Sequence, residues 1–488
     1  MSVRYLIVVN APMRRLTRTT FAMESAFAEH VRAMAKELAP RFTEIVLACP
    51  EYSSAEYEVV RESLAVVDES REPIRFERVW STDDHHTSAF MGLARLRALV
   101  AECDLVHTHV ACNPRRPQEA VAGAIGVALN KPVVVVADMD HRGETARDFA
   151  EGRIGVAGYV SRLLSYDAIW ESQQRAWVHL ADLLLFKEQQ QVEAYGRGAP
   201  HVRLFRDPNY SADQVIAAPQ LKKKLERLRD VGAPLRLVYF GRLVPYKGVD
   251  HMITAVAEAR QAGANLRLDI IGVGPERAAL EAQVAQLGIG DLVQWVHPRP
   301  YADGFLDLVR NYDALLACPL AADTPRSTWD AISSGLAVVA YDTPFYRSVA
   351  EQTGVVDTTP DRDPRALAAH LVGLAADKTA LVPRIRHGVA VARENTQEAW
   401  LRRRADWIEE VFEARAARAQ LARADEASAL RALLGVRARR GNMRPVTQAR
   451  PQLVTSSSPY PAASPAHDPE REPEEPVVAR VAPLRSLS

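Results

Sequence analysis

The chain has 488 residues, 48% of them hydrophobic, with 61 basic and 61 acidic side chains and a formal net charge of zero. That is material for two or three domains. Zero net charge excludes a protein that holds nucleic acid by bulk electrostatics, so any basic site must be local. Four cysteines (Cys49, Cys103, Cys112, Cys318) stand without a C-x-x-C pair, which gives neither a disulfide framework nor a cysteine zinc site. No run of eighteen apolar residues occurs, and the N-terminal apolar stretch is too short for a signal core. A cytoplasmic protein is expected, at most peripheral at the inner face of a membrane.

In chain order, residues 1–210 alternate short apolar runs with helical patterns: "RYLIVVN", then "MESAFAEHVRAMAKELA", "EIVLACP", "DLVHTHV", "KPVVVVAD" and "ADLLLFK". Continuous apolar runs bounded by turns are the pattern of parallel strands covered on both faces, so a doubly wound Rossmann-like α/β domain is predicted. Residues 211–234 carry a lysine run and a Gly-Ala-Pro close, and are read as a linker. From 235 to 395 the same grammar returns in "LRLVYF", "LRLDIIG", "LVQWVH", "DALLACP" and "LAVVAYD". Helices are predicted over "VDHMITAVAEARQAG" and over a stretch with Leu280, Val284 and Leu287 on one stripe. Asp363-Pro364 reads as the N-cap and first residue of another. Residues 396–435 are predicted to be one or two long helices with Trp400, Trp407 and Val411 on one face, crossing back to the first domain. Residues 436–488, rich in Pro, Ser and Arg and then acidic, cannot bury enough apolar surface and are expected to be disordered.

Two fixed charges stand out. Arg242 and Lys247, in "GRLVPYKG", follow directly on the apolar run "LRLVYF". Ligands of open α/β sheets bind where the carboxyl ends of strands meet loops and helix starts, so both charges should face a cleft between the domains. Farther on, "DTPRSTWDAISSG" separates Asp323 from Asp330 by six residues, around a helix start marked by Pro325, Ser327 and Thr328. An Arg, a Lys, a helix start and two carboxylates suit a molecule with a diphosphate at one part and sugar hydroxyls at another.

These motifs give a resemblance. "GRLVPYKG", "IIGVGPERAALE" and "DTPRSTWDAISSGLAVVA" follow in order the "GR-x-x-x-x-KG", "IxGxGP" and "EGFGLPxxEAMACGxPVVA" patterns of the retaining GT-B glycosyltransferases of family 4, glycosyl transferases group 1. The resemblance covers residues 235–400 well and the first half more loosely. It implies a GT-B fold: two tandem Rossmann-like domains, the first holding the acceptor and the second a nucleotide-sugar donor. It puts Arg242 and Lys247 on the donor diphosphate, Asp330 on the ribose hydroxyls, Asp323 beside the donor sugar, and His109 near the reacting carbon. Gly274 and Arg299 fall at donor-contact positions, with His297 and Tyr301 flanking Arg299 where the family holds the nucleobase.

The departures are specific. The acids are aspartates where the family has glutamates, and their loop is one residue shorter. Thr324, Pro325 and Arg326 replace the Gly-Phe-Gly that lends backbone N–H groups to phosphate; Pro325 has none to lend, and Arg326 is expected to supply charge instead. "VVNAPMRRLTRTTF" stands where a glycine pair often follows the first strand. No cofactor and no metal is expected. The expected partners are a nucleotide-sugar donor and a saccharide or lipid-linked acceptor, without nucleic acid. "QLKKKLERLRD" is preferably a solvated linker helix, with contact to acidic lipid headgroups as its other reading. Only eight of the basic residues are Lys, which suits a GC-rich bacterial genome and a role in polysaccharide or glycoconjugate assembly.

Two other readings fit parts of the pattern. One is a non-catalytic GT-B relative acting as a binding or scaffold subunit, its shortened acid loop having lost turnover. The other is a metal hydrolase, with His107 and His109 in H-x-H spacing joined by Asp138, Asp140 or His141. The run "DDHH" at 83–86 reads as an exposed loop.

Overall fold

A computed structural model describes residues 3–81, 92–110, 117–138, 140–299 and 301–433. The predicted alternation of strand and helix is present in both halves. Ten strands belong to the first: β1 (Arg4–Val8), β2 (Arg14–Arg15), β3 (Thr20–Glu24), β4 (Glu44–Glu51), β5 (Leu64–Asp68), β6 (Ile74–Ser81), β7 (Leu105–His109), β8 (Val133–Ala137), β9 (Leu183–Phe186) and β10 (Val202–Leu204). Seven of them form a parallel sheet in the order β10-β9-β8-β7-β1-β4-β6. The segment that takes the place of the family's glycine pair makes β2 and β3, which join β5 in a small antiparallel sheet.

The second half carries β11 (Leu235–Phe240), β12 (Leu266–Ile271), β13 (Val293–Val296), β14 (Ala314–Ala317), β15 (Ala337–Tyr341) and β16 (Val356–Thr359). They form a parallel sheet in the order β13-β12-β11-β14-β15-β16. The direction of winding reverses between β11 and β14. Loops leaving those two strands therefore diverge over a crevice, the usual ligand position in such sheets.

Both sheets are covered on both faces, which is why their strands read as unbroken apolar runs. Residues 211–234 are more than a tether: they include the helix Ala218–Arg227, whose Leu225 and the following Leu228 enter the second core. Lys222 and Lys223 are not buried, but Lys224 is, and it donates to the carbonyls of Tyr312 (2.9 Å), Ser334 (3.0 Å) and Gly335 (2.9 Å). The solvated reading thus fails for the third lysine, because three orphan carbonyls there require a donor. Asp363 caps its helix by accepting from the N–H groups of Arg365 and Ala366, both at 3.0 Å.

The last helix is continuous, Gln397–Leu433. Trp400, Leu401, Ile408 and Val411 enter the core of the first half, with Trp407 against it. One compact unit spans Met1–Arg423 and so contains both sheets. The tail at 436–488 and the loop at 83–86 lie outside the described residues.

Candidate active site

Between the two sheets lies a cleft of about 830 Å³. Of the site residues predicted from sequence, Arg242, Lys247, Arg299, Asp323, Thr324, Arg326 and Asp330 all line it. His109 lines a smaller, adjoining cavity of about 250 Å³ in the first half, and Glu24, Asp138, Lys187 and Arg326 line both. His297 and Gly274 are not among the lining residues.

The loop after β11 is shaped by backbone contacts that admit no side chain. Gly248 has φ +62°, and a Cβ on it would lie 2.0 Å from the carbonyl oxygen of Cys318, the residue following β14. Gly274 is placed likewise: its Cβ would lie 2.1 Å from the Leu243 carbonyl oxygen. Loop packing by itself thus requires a glycine at 274. The result is a tight seat from which Lys247 reaches an ion pair with Asp323, both side chains largely buried. Arg242 donates to the Tyr246 hydroxyl at 2.5 Å, while its carbonyl accepts from Tyr239 at 2.8 Å.

Asp330 lies in the helix Ser327–Ser333 and is buried. The Tyr301 hydroxyl donates to its Oδ1 at 3.0 Å. Burial pushes the Asp330 carboxyl up to about 7, with the Tyr301 hydrogen bond and Arg326 working in the opposite direction. Tyr301, expected with His297 and Arg299 at the nucleobase position, is thus also the partner of the buried acid.

The substituted loop, Thr324-Pro325-Arg326, reaches the first half. The Thr324 hydroxyl donates to the Asp138 carbonyl at 3.0 Å; Arg326 lies 3.3 Å from Asp207 and donates to Asn209 Oδ1 at 3.0 Å. Lys187, at the end of β9, completes the network at 2.6 Å from Asp138 and 3.2 Å from Asp207. Burial would raise the Asp207 carboxyl, but Arg326, Lys187 and His30 outweigh it and hold Asp207 well below the usual carboxylate range. Nearby, Ala322 N–H donates to Glu144, and Arg147 lies 3.4 Å from Asp361.

The cleft lining carries five cations (Lys187, Arg242, Lys247, Arg299, Arg326) against four carboxylates (Glu24, Asp138, Asp323, Asp330). With Asp330 neutral the excess of positive charge grows; it acts most strongly at the part-buried Lys187, Lys247 and Arg326, while the exposed Arg242 and Arg299 are screened by solvent. All four carboxylates are engaged, Glu24 by the N–H groups of Ala26 (3.2 Å) and Phe27 (2.8 Å).

The metal-hydrolase reading is not favoured, because four of its five candidate ligands, all but His109, hold other partners. His107 Nδ1 accepts from Arg404 at 2.8 Å, Asp138 pairs with Lys187, Asp140 binds Arg142, and His141 Nδ1 lies 2.7 Å from Glu144. A guanidinium and an ammonium stand where a metal ion would need unopposed ligands. Among the described residues no group of three His, Cys, Asp or Glu is placed to hold one.

Two facing parallel α/β halves, with a polar cleft at the switch point of the second, define a GT-B fold. Residues 222–382 match the family of glycosyl transferases group 1, which bears out the resemblance read from "GRLVPYKG" and the motifs after it. Curated relatives include a 2-deoxystreptamine glucosyltransferase of Streptomyces kanamyceticus, 30% identical over 160 residues, and the amylovoran biosynthesis glycosyltransferase AmsK of Erwinia amylovora, 30% identical over 165 residues. Each match covers 32% of this chain, and the chain spans only 38% and 40% of the lengths of those relatives. Among solved structures, Anabaena HepE in complex with UDP and glucose superposes with TM-score 0.55 at 14% identity, over 84% of this chain and 100% of that one. WaaG, a glycosyltransferase involved in lipopolysaccharide biosynthesis, gives 0.56 at 14% identity, over 82% and 98%. At such identity these two establish the fold.

Proposed function

We propose that the protein is a glycosyltransferase that moves a sugar from a nucleoside-diphosphate sugar to an acceptor held by the first half, in polysaccharide or glycoconjugate biosynthesis. The observation that carries this reading is the placement of Arg242 and Lys247 at the β11/β14 switch point, facing Asp330 and Tyr301 across one cleft. It is supported by the match over residues 222–382 and by neighbours of the same fold that bind UDP together with a sugar.

Breaking the donor's glycosidic bond leaves negative charge on the departing diphosphate. Lys247 and Arg242 stabilise that charge more in the transition state than in the ground state, which is the condition for catalysis. Asp323 positions the Lys247 ammonium. Asp330, with Tyr301 to orient it, is placed to take the ribose hydroxyls, and Arg299 and Tyr301 border the base position. Anomeric configuration is retained and no metal takes part: cations already supply the charge and each cleft carboxylate has a partner, so no enzyme nucleophile attacks; as the bond from the sugar carbon to phosphate breaks, the acceptor oxygen bonds that carbon on the same face and its proton passes to the departing phosphate oxygen. His109 faces the reacting carbon from the first half.

The test is thermal stability with UDP, GDP and ADP and their sugar conjugates, with and without a chelator, for wild type and Lys247→Ala. A ligand at a hundred times its Kd stabilises by about 2.7 kcal/mol. A chelator-insensitive shift with one diphosphate, lost in Lys247→Ala, is expected. No shift with any nucleotide sinks the reading, and binding without transfer or hydrolysis of any sugar conjugate would favour a binding subunit.

A further inference from the structure

Arg404, on the helix Gln397–Leu433, is 2% exposed, yet no carboxylate among the described residues pairs with it. Its Nη2 donates to the Tyr5 hydroxyl at 2.7 Å and to His107 Nδ1 at 2.8 Å. Nη1 has no hydrogen-bond partner among the described residues, and Nε is buried without one. The rings of Tyr5 and Phe205, at 5.9 and 5.6 Å, give only weak compensation. His107 cannot share the charge: burial, then the neighbouring Arg404 cation, holds its imidazole neutral. Burying a guanidinium without an anion is costly, and such an arrangement persists where a ligand supplies the counter-charge.

Arg404 lines the 250 Å³ cavity that adjoins the cleft. The other charges on that cavity are matched: Lys187 and Arg326 lie between Asp138 and Asp207, and Glu24 caps a helix. Three cations and three carboxylates line the cavity, and Arg404 is the one of these cations that no carboxylate among the described residues pairs; it lies close to His107 and His109, whose rings are 5.1 Å apart. The cavity is large enough for a sugar ring.

We infer that this cavity is the acceptor subsite and that it takes a sugar bearing an oxyanion, a carboxylate or a phosphate, which the unpaired Nη1 of the Arg404 guanidinium binds. This rests on the glycosyltransferase reading and narrows its acceptor to an acidic sugar. Guanidinium suits the role because it stays charged when buried and its N–H gives a charge-assisted hydrogen bond to either oxyanion.

The experiment is calorimetric titration of the full chain with D-glucuronate, glucose 1-phosphate and glucose, UDP being present to occupy the diphosphate site. UDP is titrated first; failure of UDP to bind would count against the glycosyltransferase reading alone, and the three sugars are then compared without it. At least one anionic sugar should bind roughly ten- to a hundredfold more tightly than glucose, and Arg404→Gln should erase that preference. Which anion is preferred separates a uronate from a sugar phosphate. Equal affinity for all three sugars in wild type, or a preference that survives in Arg404→Gln, overturns the inference. Should the variant fail to fold, crystals of wild type grown with each anionic sugar decide: an oxyanion on Arg404 supports the subsite, and its placement elsewhere rejects it.

Discussion

Replacing Asp330 by Asn should make the protein more stable above neutral pH while weakening its hold on the donor. The carboxyl is buried, and its folded value of about 7 stands above the ordinary 3.8. A carboxyl raised by folding favours the folded state fully below pH 3.8, and this contribution is lost as pH rises through 7. Between those two values each pH step of one costs about 1.4 kcal/mol, so about 4 kcal/mol is lost from pH 4 to pH 7. Asn cannot ionise, yet its Oδ1 can still accept from the Tyr301 hydroxyl, so the hydrogen bond survives. Urea unfolding of both proteins from pH 4.5 to 8.5 tests this: the two curves should converge at the acid end and separate as pH rises, with Asp330→Asn the more stable by roughly that amount. Parallel curves, or a variant less stable at pH 8, would refute the reasoning. A residue that costs stability at physiological pH is best explained by what it binds, so the same variant should show weaker binding of the nucleoside diphosphate.

Two further substitutions probe how the site is held. Gly248→Ala meets both a left-handed backbone and a carbonyl oxygen 2.0 Å from the new Cβ; it should cost about 1–3 kcal/mol in urea unfolding and reduce donor affinity through displacement of Lys247. Lys224→Met removes the donor shared by the Tyr312, Ser334 and Gly335 carbonyls. Because two of those carbonyls, Ser334 and Gly335, close the C-terminal end of the helix carrying Asp330, about 2–4 kcal/mol of stability should be lost. Wild-type stability in that variant would reject the capping role.

The second half's fold and much of its site are legible in the sequence because both are written in local patterns. Five of the six strands there are apolar runs ended by turns, β16 with its sequence VDTT being the one not foreseen, and "LRLVYF" followed by "GR" announces a charge at a strand's carboxyl end. The same signal stands at "LLLFK", where Lys187 ends β9 and reaches Asp138 and Asp207. Lys187 is absent from the residues predicted above, although the reasoning that selects Arg242 selects it equally. Gly274 shows where local patterns stop deciding, since a Gly-x-Gly after a strand has the same appearance whether the backbone makes room for phosphate or for another loop.

What stays illegible is set by long-range geometry. Arg326 meets Asp207 across 119 positions of chain and Arg404 meets His107 across nearly 300. Within "WLRRRADW" Arg404 has the same letters around it as its solvated neighbours, and only the helix's path across the first half turns it inward. Lys224 is hidden in the same way between two exposed neighbours, Lys223 before it and Glu226 after Leu225. The replacement of the family's Gly-Phe-Gly by Thr324-Pro325-Arg326 reads locally as a loss, a phosphate cradle with fewer N–H groups. In three dimensions Thr324 and Arg326 tie the acid loop to Asp138, Asp207 and Asn209 of the first half. N–H groups given up by the phosphate cradle are thus exchanged for a link between the halves, so the loop that orders Asp330 also fixes the wall of the cavity where the acceptor is proposed to sit.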